Sequence, residues 1–231
     1  MTRAAQVIAV AALALVLVTA KSQARPAVLG GQYRYWAFNN HNDLRDVLAY
    51  WVPGPFHVQL EYWDRMRGKD QFRPEVGIHL LDRHRSVYTV QWRHELDQER
   101  FWLMTDQVVS DHLVGRLEAD PIFTSDSTEW VFGAGGDYYW GSYNFLSATL
   151  YHDPRGVELW VVPLRLRLAN EANDWVQWTL APASRRTLGW ALDLKYRWVR
   201  TGVERNSRFD FTTLDNVIWT IGFEAPFPKR P

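Results

Sequence analysis

The chain has 231 residues, with 26 basic and 26 acidic side chains and a formal net charge of zero. No basic excess points to nucleic acid and no acidic excess to a solvating tail, and the absence of cysteine excludes disulfides and thiolate metal sites. Aromatic residues are abundant (13 Trp, 10 Tyr and 11 Phe), which suits strands and membrane–water interfaces, and a mean hydropathy of −0.32 is compatible with alternating strands whose two faces average out.

Residues 1–24 read as a separate object. Arg3 supplies a positive start, Val7 to Val18 is an apolar core, and small residues follow at Ala20 and Ala24. This is the pattern of a cleavable secretory signal peptide, with cleavage expected after Ala20 or Ala24. The apolar run is too short for a spanning helix, which needs about 20 residues.

From residue 25 onward, short alternating runs follow one another, divided by turn residues. Tyr33, Tyr35 and Ala37 mark the first, and Val47, Ala49 and Trp51 the second. Phe56, Val58, Leu60 and Tyr62 alternate with His57, Gln59 and Glu61 in the third. Val76, Ile78 and Leu80 mark the fourth; Tyr88, Val90 and Trp92, alternating with Arg93, mark the fifth. A weaker sixth runs from Phe101 to Val109, and Leu113 to Glu118, with Arg116, forms the seventh. Trp130 to Tyr138 is the eighth, where Gly133, Gly135 and Gly136 predict a bend or bulge. Gly141 and Ser142 predict a tight hairpin into Leu146–Leu150. Val157 to Leu168 carries Leu164-Arg-Leu-Arg-Leu168, with a break expected at Pro163, which has no N–H to give a ladder. Val176–Leu180 precedes a long strand over Thr187–Val199, a loop near Gly202–Asn206, and a closing strand over Val217–Phe227.

No helical period persists over a dozen residues. The expected fold is all-β, an antiparallel up-and-down transmembrane barrel over residues 25–231. A spanning strand takes about 9–11 residues, so the length after signal cleavage suggests about 12 strands, or ten as the alternative. A soluble barrel also alternates. Three features favour the membrane form: aromatics flank the apolar faces (Trp190 and Trp198; Trp219 and Phe227), the other face carries charge in series (Asp193, Lys195, Arg197), and the chain ends just past an amphipathic aromatic strand.

The ending Asn216-Val-Ile-Trp-Thr-Ile-Gly-Phe-Glu-Ala-Pro-Phe227 resembles the C-terminal signal of Gram-negative outer-membrane proteins, although Pro228–Pro231 follow it. Gly135-Gly-Asp-Tyr-Tyr-Trp-Gly141, Asn173-Asp-Trp-Val-Gln-Trp178 and Leu192-Asp-Leu-Lys-Tyr-Arg-Trp198 resemble the YaiO-type outer-membrane β-barrel family. Small oligosaccharide-specific 12-stranded porins are also similar. These resemblances imply residence in the Gram-negative outer membrane among its lipid, and handling by the barrel-assembly machinery through the last strand. They imply little about chemistry.

The candidate lumen lining is Glu61, Arg93, Arg116, Glu118, Arg165, Arg167, Asp193, Lys195 and Arg197, which share the polar phase of their strands. They suit either a charge-selective lining or an internal salt-bridge network that fills the barrel. Arg165 and Arg167 suit acidic sugars, because guanidinium binds carboxylate in a bidentate manner. His57, His79 and Glu61 could approach one another, but no spacing enforces a metal site, and no cofactor is expected. No His-x-Ser element of outer-membrane lipid hydrolases occurs; Ser110-Asp111-His112 falls in a turn, and Asp82 with His84 only faintly echoes acidic-pair proteases. The chain is therefore expected not to be an enzyme. The expected function is a narrow passive channel for small or acidic solutes such as oligosaccharides, and the alternative is a non-conducting accessory barrel of an envelope or polysaccharide system. A small lid from Asp64–Gln71 or Arg200–Ser207 is a further expectation.

Overall fold

The computed structural model describes residues 28–52, 56–66, 69–81, 86–95, 98–141, 143–152, 160–184, 188–206 and 216–226. The expected signal peptide, Asp82 and His84 lie outside these residues. The strands in chain order are β1 (Val28–Phe38), β2 (Leu44–Val52), β3 (Phe56–Arg65), β4 (Gln71–Leu81), β5 (Ser86–Glu95), β6 (Gln98–Val108), β7 (Leu113–Phe123) and β8 (Thr128–Trp140). They continue with β9 (Asn144–His152), β10 (Trp160–Val161), β11 (Leu164–Ala169), β12 (Trp175–Ala181), β13 (Gly189–Tyr196), β14 (Val199–Arg205) and β15 (Asn216–Pro226).

Except for β10 and β11, each strand pairs antiparallel with its chain neighbours, and β1 pairs with β15 over the whole register from Val28↔Pro226 to Phe38↔Asn216. The sheet therefore closes on itself, which removes both free edges. β10 and β11 both pair with β9 and occupy one place in the ring, so it has 14 positions. The break between them is at Pro163, where Val162 N–H donates instead to the carbonyl of Pro182 at 2.9 Å.

The strand number corrects the expectation of 12 or ten. Arg197 adopts a left-handed φ of 54°, and residues 197 and 198 make a two-residue turn between β13 and β14. The expected long strand to Val199 thus ends at Tyr196, and the expected loop near Gly202–Asn206 and the described part of the expected lid over Arg200–Ser207 are mostly strand. Apolar alternation runs straight through the turn (Leu194, Tyr196, Trp198), so the pattern alone hides it. Short strands β11 to β14, of six to eight residues, leave room for the extra members. The glycines of β8 carry no bulge: its register with β7 and with β9 is continuous.

The two faces divide by period two. Val47, Leu60, Leu117, Leu150, Leu180 and Ile221 point outward and are exposed, Leu117 by 61%. Arg34, Asp46, Glu61, Arg73, Glu75, Arg100 and Asp120 point inward and are buried, Asp46 to 1%. A soluble barrel has the opposite arrangement; this one is apolar outside and charged within. The outward faces carry rings such as Tyr33, Trp51, Trp130, Tyr138, Trp178, Trp198 and Trp219.

Candidate functional site: the barrel interior

Register places the inward residues of neighbouring strands side by side. On β1 to β7 the inward arginines Arg34, Arg73, Arg93, Arg100 and Arg116 each have a carboxylate against them. Arg34 Nε lies 2.8 Å from Asp46, and its other nitrogen bonds Glu61. Glu61 also lies 3.4 Å from Arg73. Arg93 Nε donates to Glu75 at 2.6 Å, with His57 Nε2 3.2 Å from the same carboxylate. Arg100 Nε donates to Asp120 at 2.7 Å. Arg116 stands among three carboxylates: Asp106 at 2.7 Å, Asp137 at 3.0 Å and Glu118 at 3.9 Å. The hydroxyl of Tyr151 donates to Glu118 at 3.2 Å. In a low-dielectric interior such pairing offsets the cost of removing charge from water.

One side of the interior is packed. Trp36, Leu44 and Ile218 form a buried cluster with Phe38 and Trp63 against it, and the Arg73 guanidinium stacks 4.0 Å from the Trp63 ring centre. Trp36 Nε1 donates to Asp46 at 2.7 Å.

The wall from β11 to β14 differs. Arg167 donates to Gln177 at 3.0 and 2.8 Å and stacks on Phe145 and Trp175, at 4.8 and 4.3 Å. Arg200 lies 5.4 Å from the same Trp175 ring and 3.4 Å from Asp193. Lys195 lies 3.2 Å from Glu224. Arg165 makes no hydrogen bond or ion pair among the described residues, and its charge acts on Glu118 of β7 and Tyr151 of β9. Small residues share this inward face and its surroundings: Gly133, Gly135, Thr149, Thr179, Ala191, Gly202 and Gly222.

Of the sequence candidates, Glu61, Arg93, Arg116, Glu118, Arg165, Arg167, Asp193 and Lys195 point inward. Arg197 does not: it sits in the turn at the barrel's end, a correction that follows from its left-handed backbone. His57 and His79 do not assemble a metal site with Glu61. His79 Nδ1 lies 2.8 Å from the buried Thr89 hydroxyl, Glu61 belongs to the arginines, and no metal-binding cluster occurs among the described residues. His112 lies in the β6–β7 turn, with Nδ1 3.1 Å from the carbonyl of Tyr139. The sequence reading missed Arg34, Asp46, Arg73, Glu75, Arg100, Asp106, Asp120, Asp137 and Arg200. Their signal was the same polar phase, but partly in strands whose alternation is weak, such as β6.

A closed antiparallel barrel with an apolar exterior and a charged interior defines the class of porin-like folds. Solved structures agree. The chain is similar to the outer-membrane protein Omp33 of Acinetobacter baumannii (11% identity, 90% of this chain and 100% of that one, TM-score 0.57). It is also similar to an engineered triple mutant of Rhodopseudomonas blastica porin (8% identity, 86% and 99%, TM-score 0.51). At such identities the likeness concerns the fold alone. No protein-family model matches the sequence, and no curated protein matches it.

Proposed function

We propose that the chain is an integral outer-membrane barrel of a Gram-negative bacterium whose interior is a narrow passive channel for small hydrophilic solutes, acidic ones and oligosaccharides among them. The observation that carries this is the inverted polarity: a ring of charged and small inward residues inside an apolar exterior. A spanning strand must satisfy every backbone group within the sheet, and a closed ring does so. Eight strands are filled by side chains and 16–18 leave an aqueous channel, so fourteen suit a narrow one. Connections at the end bearing Val28 and Pro226 are two to five residues long, against up to ten at the other end. Short turns mark the periplasmic side of such barrels, so the termini face the periplasm in this reading. Residues 1–24 act as the export signal, and β15 is the strand read by the barrel-assembly machinery.

Purified protein in planar bilayers tests the reading. Steady single-channel conductance supports it. Its absence from protein that shows heat-modifiable migration favours the second reading, a non-conducting accessory barrel as the YaiO-type resemblance suggests. The packed Trp36–Leu44–Ile218–Trp63 cluster is the observation that favours that alternative.

A further inference from the structure

We infer that the wall formed by β9, β11, β12 and β14 is a binding site for the carboxylate of a small hydroxylated organic acid, such as a sugar acid, centred on Arg165. The inference rests on the channel reading and names the solute class of that interior.

The first support is an imbalance of charge. The inward arginines of β1 to β7 (Arg34, Arg73, Arg93, Arg100 and Arg116) each lie within 3.4 Å of a carboxylate oxygen. Across the β11 to β14 wall, the ion pairs within 4 Å are Arg200 with Asp193 and Lys195 with Glu224, and Arg165 and Arg167 have none among the described residues. Arg165 makes no hydrogen bond or ion pair among the described residues, and the only side-chain acceptor that Arg167 has among them is the neutral amide of Gln177. Arg167 and Arg200 both lie within 5.4 Å of the Trp175 ring, which brings two like charges together. Such a grouping is stabilised by an anion from outside the protein.

The second support is independent of charge. Ser147 is paired in register with Arg165, and Thr149 lies two residues along the same inward face of β9. Both are buried, to 2% and 1%, and neither hydroxyl has a hydrogen-bond partner among the described residues. Arg200 Nε is likewise without one. Buried polar atoms are normally satisfied, so unsatisfied ones beside an unpaired guanidinium point to a missing polar ligand. The residues beside Arg165 in register are small: Thr179 stands opposite it and Ala191 follows Thr179. A guanidinium fork fits the two oxygens of a carboxylate, while the hydroxyls suit a ligand that is itself hydroxylated.

The test uses the full mature chain, with glucuronate, glucose and inorganic phosphate as probes. Calorimetry in detergent micelles measures binding, and bilayers measure current and reversal potential. Glucuronate should bind, glucose should not, and the open channel should favour anions. Arg165→Gln should weaken glucuronate binding about tenfold or more, as loss of a charge-assisted pair implies, and Arg165→Lys should recover part of it. Heat-modifiable migration of each variant checks folding. Conductance without glucuronate binding, or binding unaffected by Arg165→Gln in a folded barrel, overturns the inference and leaves the channel standing. Phosphate bound as tightly as glucuronate overturns the carboxylate assignment. Binding without conductance keeps the site and removes the channel.

Discussion

Tyr50 lies flat across Gly30. A Cβ added at Gly30 would stand 2.1 Å from the Cζ of that ring. The phenol then reaches past β1 to β15, where its hydroxyl donates to Glu224 at 2.8 Å. Glu224 in turn meets Lys195 of β13 at 3.2 Å. One tyrosine thus spans the seam where the first and last strands close the ring, and it can do so only because residue 30 has no side chain.

Gly30→Val should therefore destabilise the barrel by overpacking, by about 1–3 kcal/mol. Tyr50→Phe should cost about 1 kcal/mol, because the ring stays while the bond to Glu224 is lost. The temperature at which the band shifts in heat-modifiability gels measures both. A Gly30→Val protein as stable as the parent would contradict the seam contact.

Leu194 is exposed and Lys195 points inward, although they are adjacent. Arg at position 194 should cost roughly 2–4 kcal/mol if the site lies near the bilayer midplane, and Arg at 195 should be nearly silent. Equal losses in unfolding titrations from lipid would contradict the facing.

Arg116 is the cation that holds Asp106, Asp137 and Glu118 together. Arg116→Gln leaves these carboxylates mutually repelling and should cost about 3–5 kcal/mol, the range for breaking a buried pair. Adding Asp137→Asn should recover part of the loss. A double variant no more stable than the single would show that repulsion is not the cause.

At the end of the barrel, Asp174 accepts the backbone N–H of Arg197 and, at 3.2 Å, the amide of Asn170. The Arg197 N–H, first, and the Asn170 amide hold the Asp174 carboxyl below the usual carboxylate range. A lowered value means the contact contributes fully above the ordinary value of about 4 and is lost as pH falls through the folded-state value. Hydrogen exchange at the Arg197 amide should accordingly gain an acid-dependent rise in opening that Asp174→Asn abolishes. Arg197→Gly should relieve the left-handed backbone by about 1 kcal/mol and leave conductance unchanged, as suits a turn residue outside the lumen.

Much of this architecture is legible in the sequence because a strand's side chains alternate with period two. That rule alone assigns Leu194 outward and Asp193 and Lys195 inward, and it needs no partner strand. Pro163 announces its break through the missing N–H. The turn at Arg197 is illegible, because the apolar alternation continues through Tyr196 and Trp198, and no Gly or Asn marks the left-handed residue. Strand number was for this reason decided by the tertiary structure.

Which charges compensate which was decided there as well. Arg116 and Arg165 look alike in sequence, each an arginine between two apolar neighbours. Register adds Asp106 and Asp137 of the neighbouring strands to the Glu118 already two residues from Arg116, and sets Ser147 and Thr179 beside Arg165. An ion pair needs atoms within about 4 Å, and only the closed ring brings residues as distant in sequence as Tyr50 and Glu224 to that range. The sequence by itself determined the faces of the strands, since facing is a local property of the backbone. The pairing of those faces is a property of closure, and only the folded ring decides it.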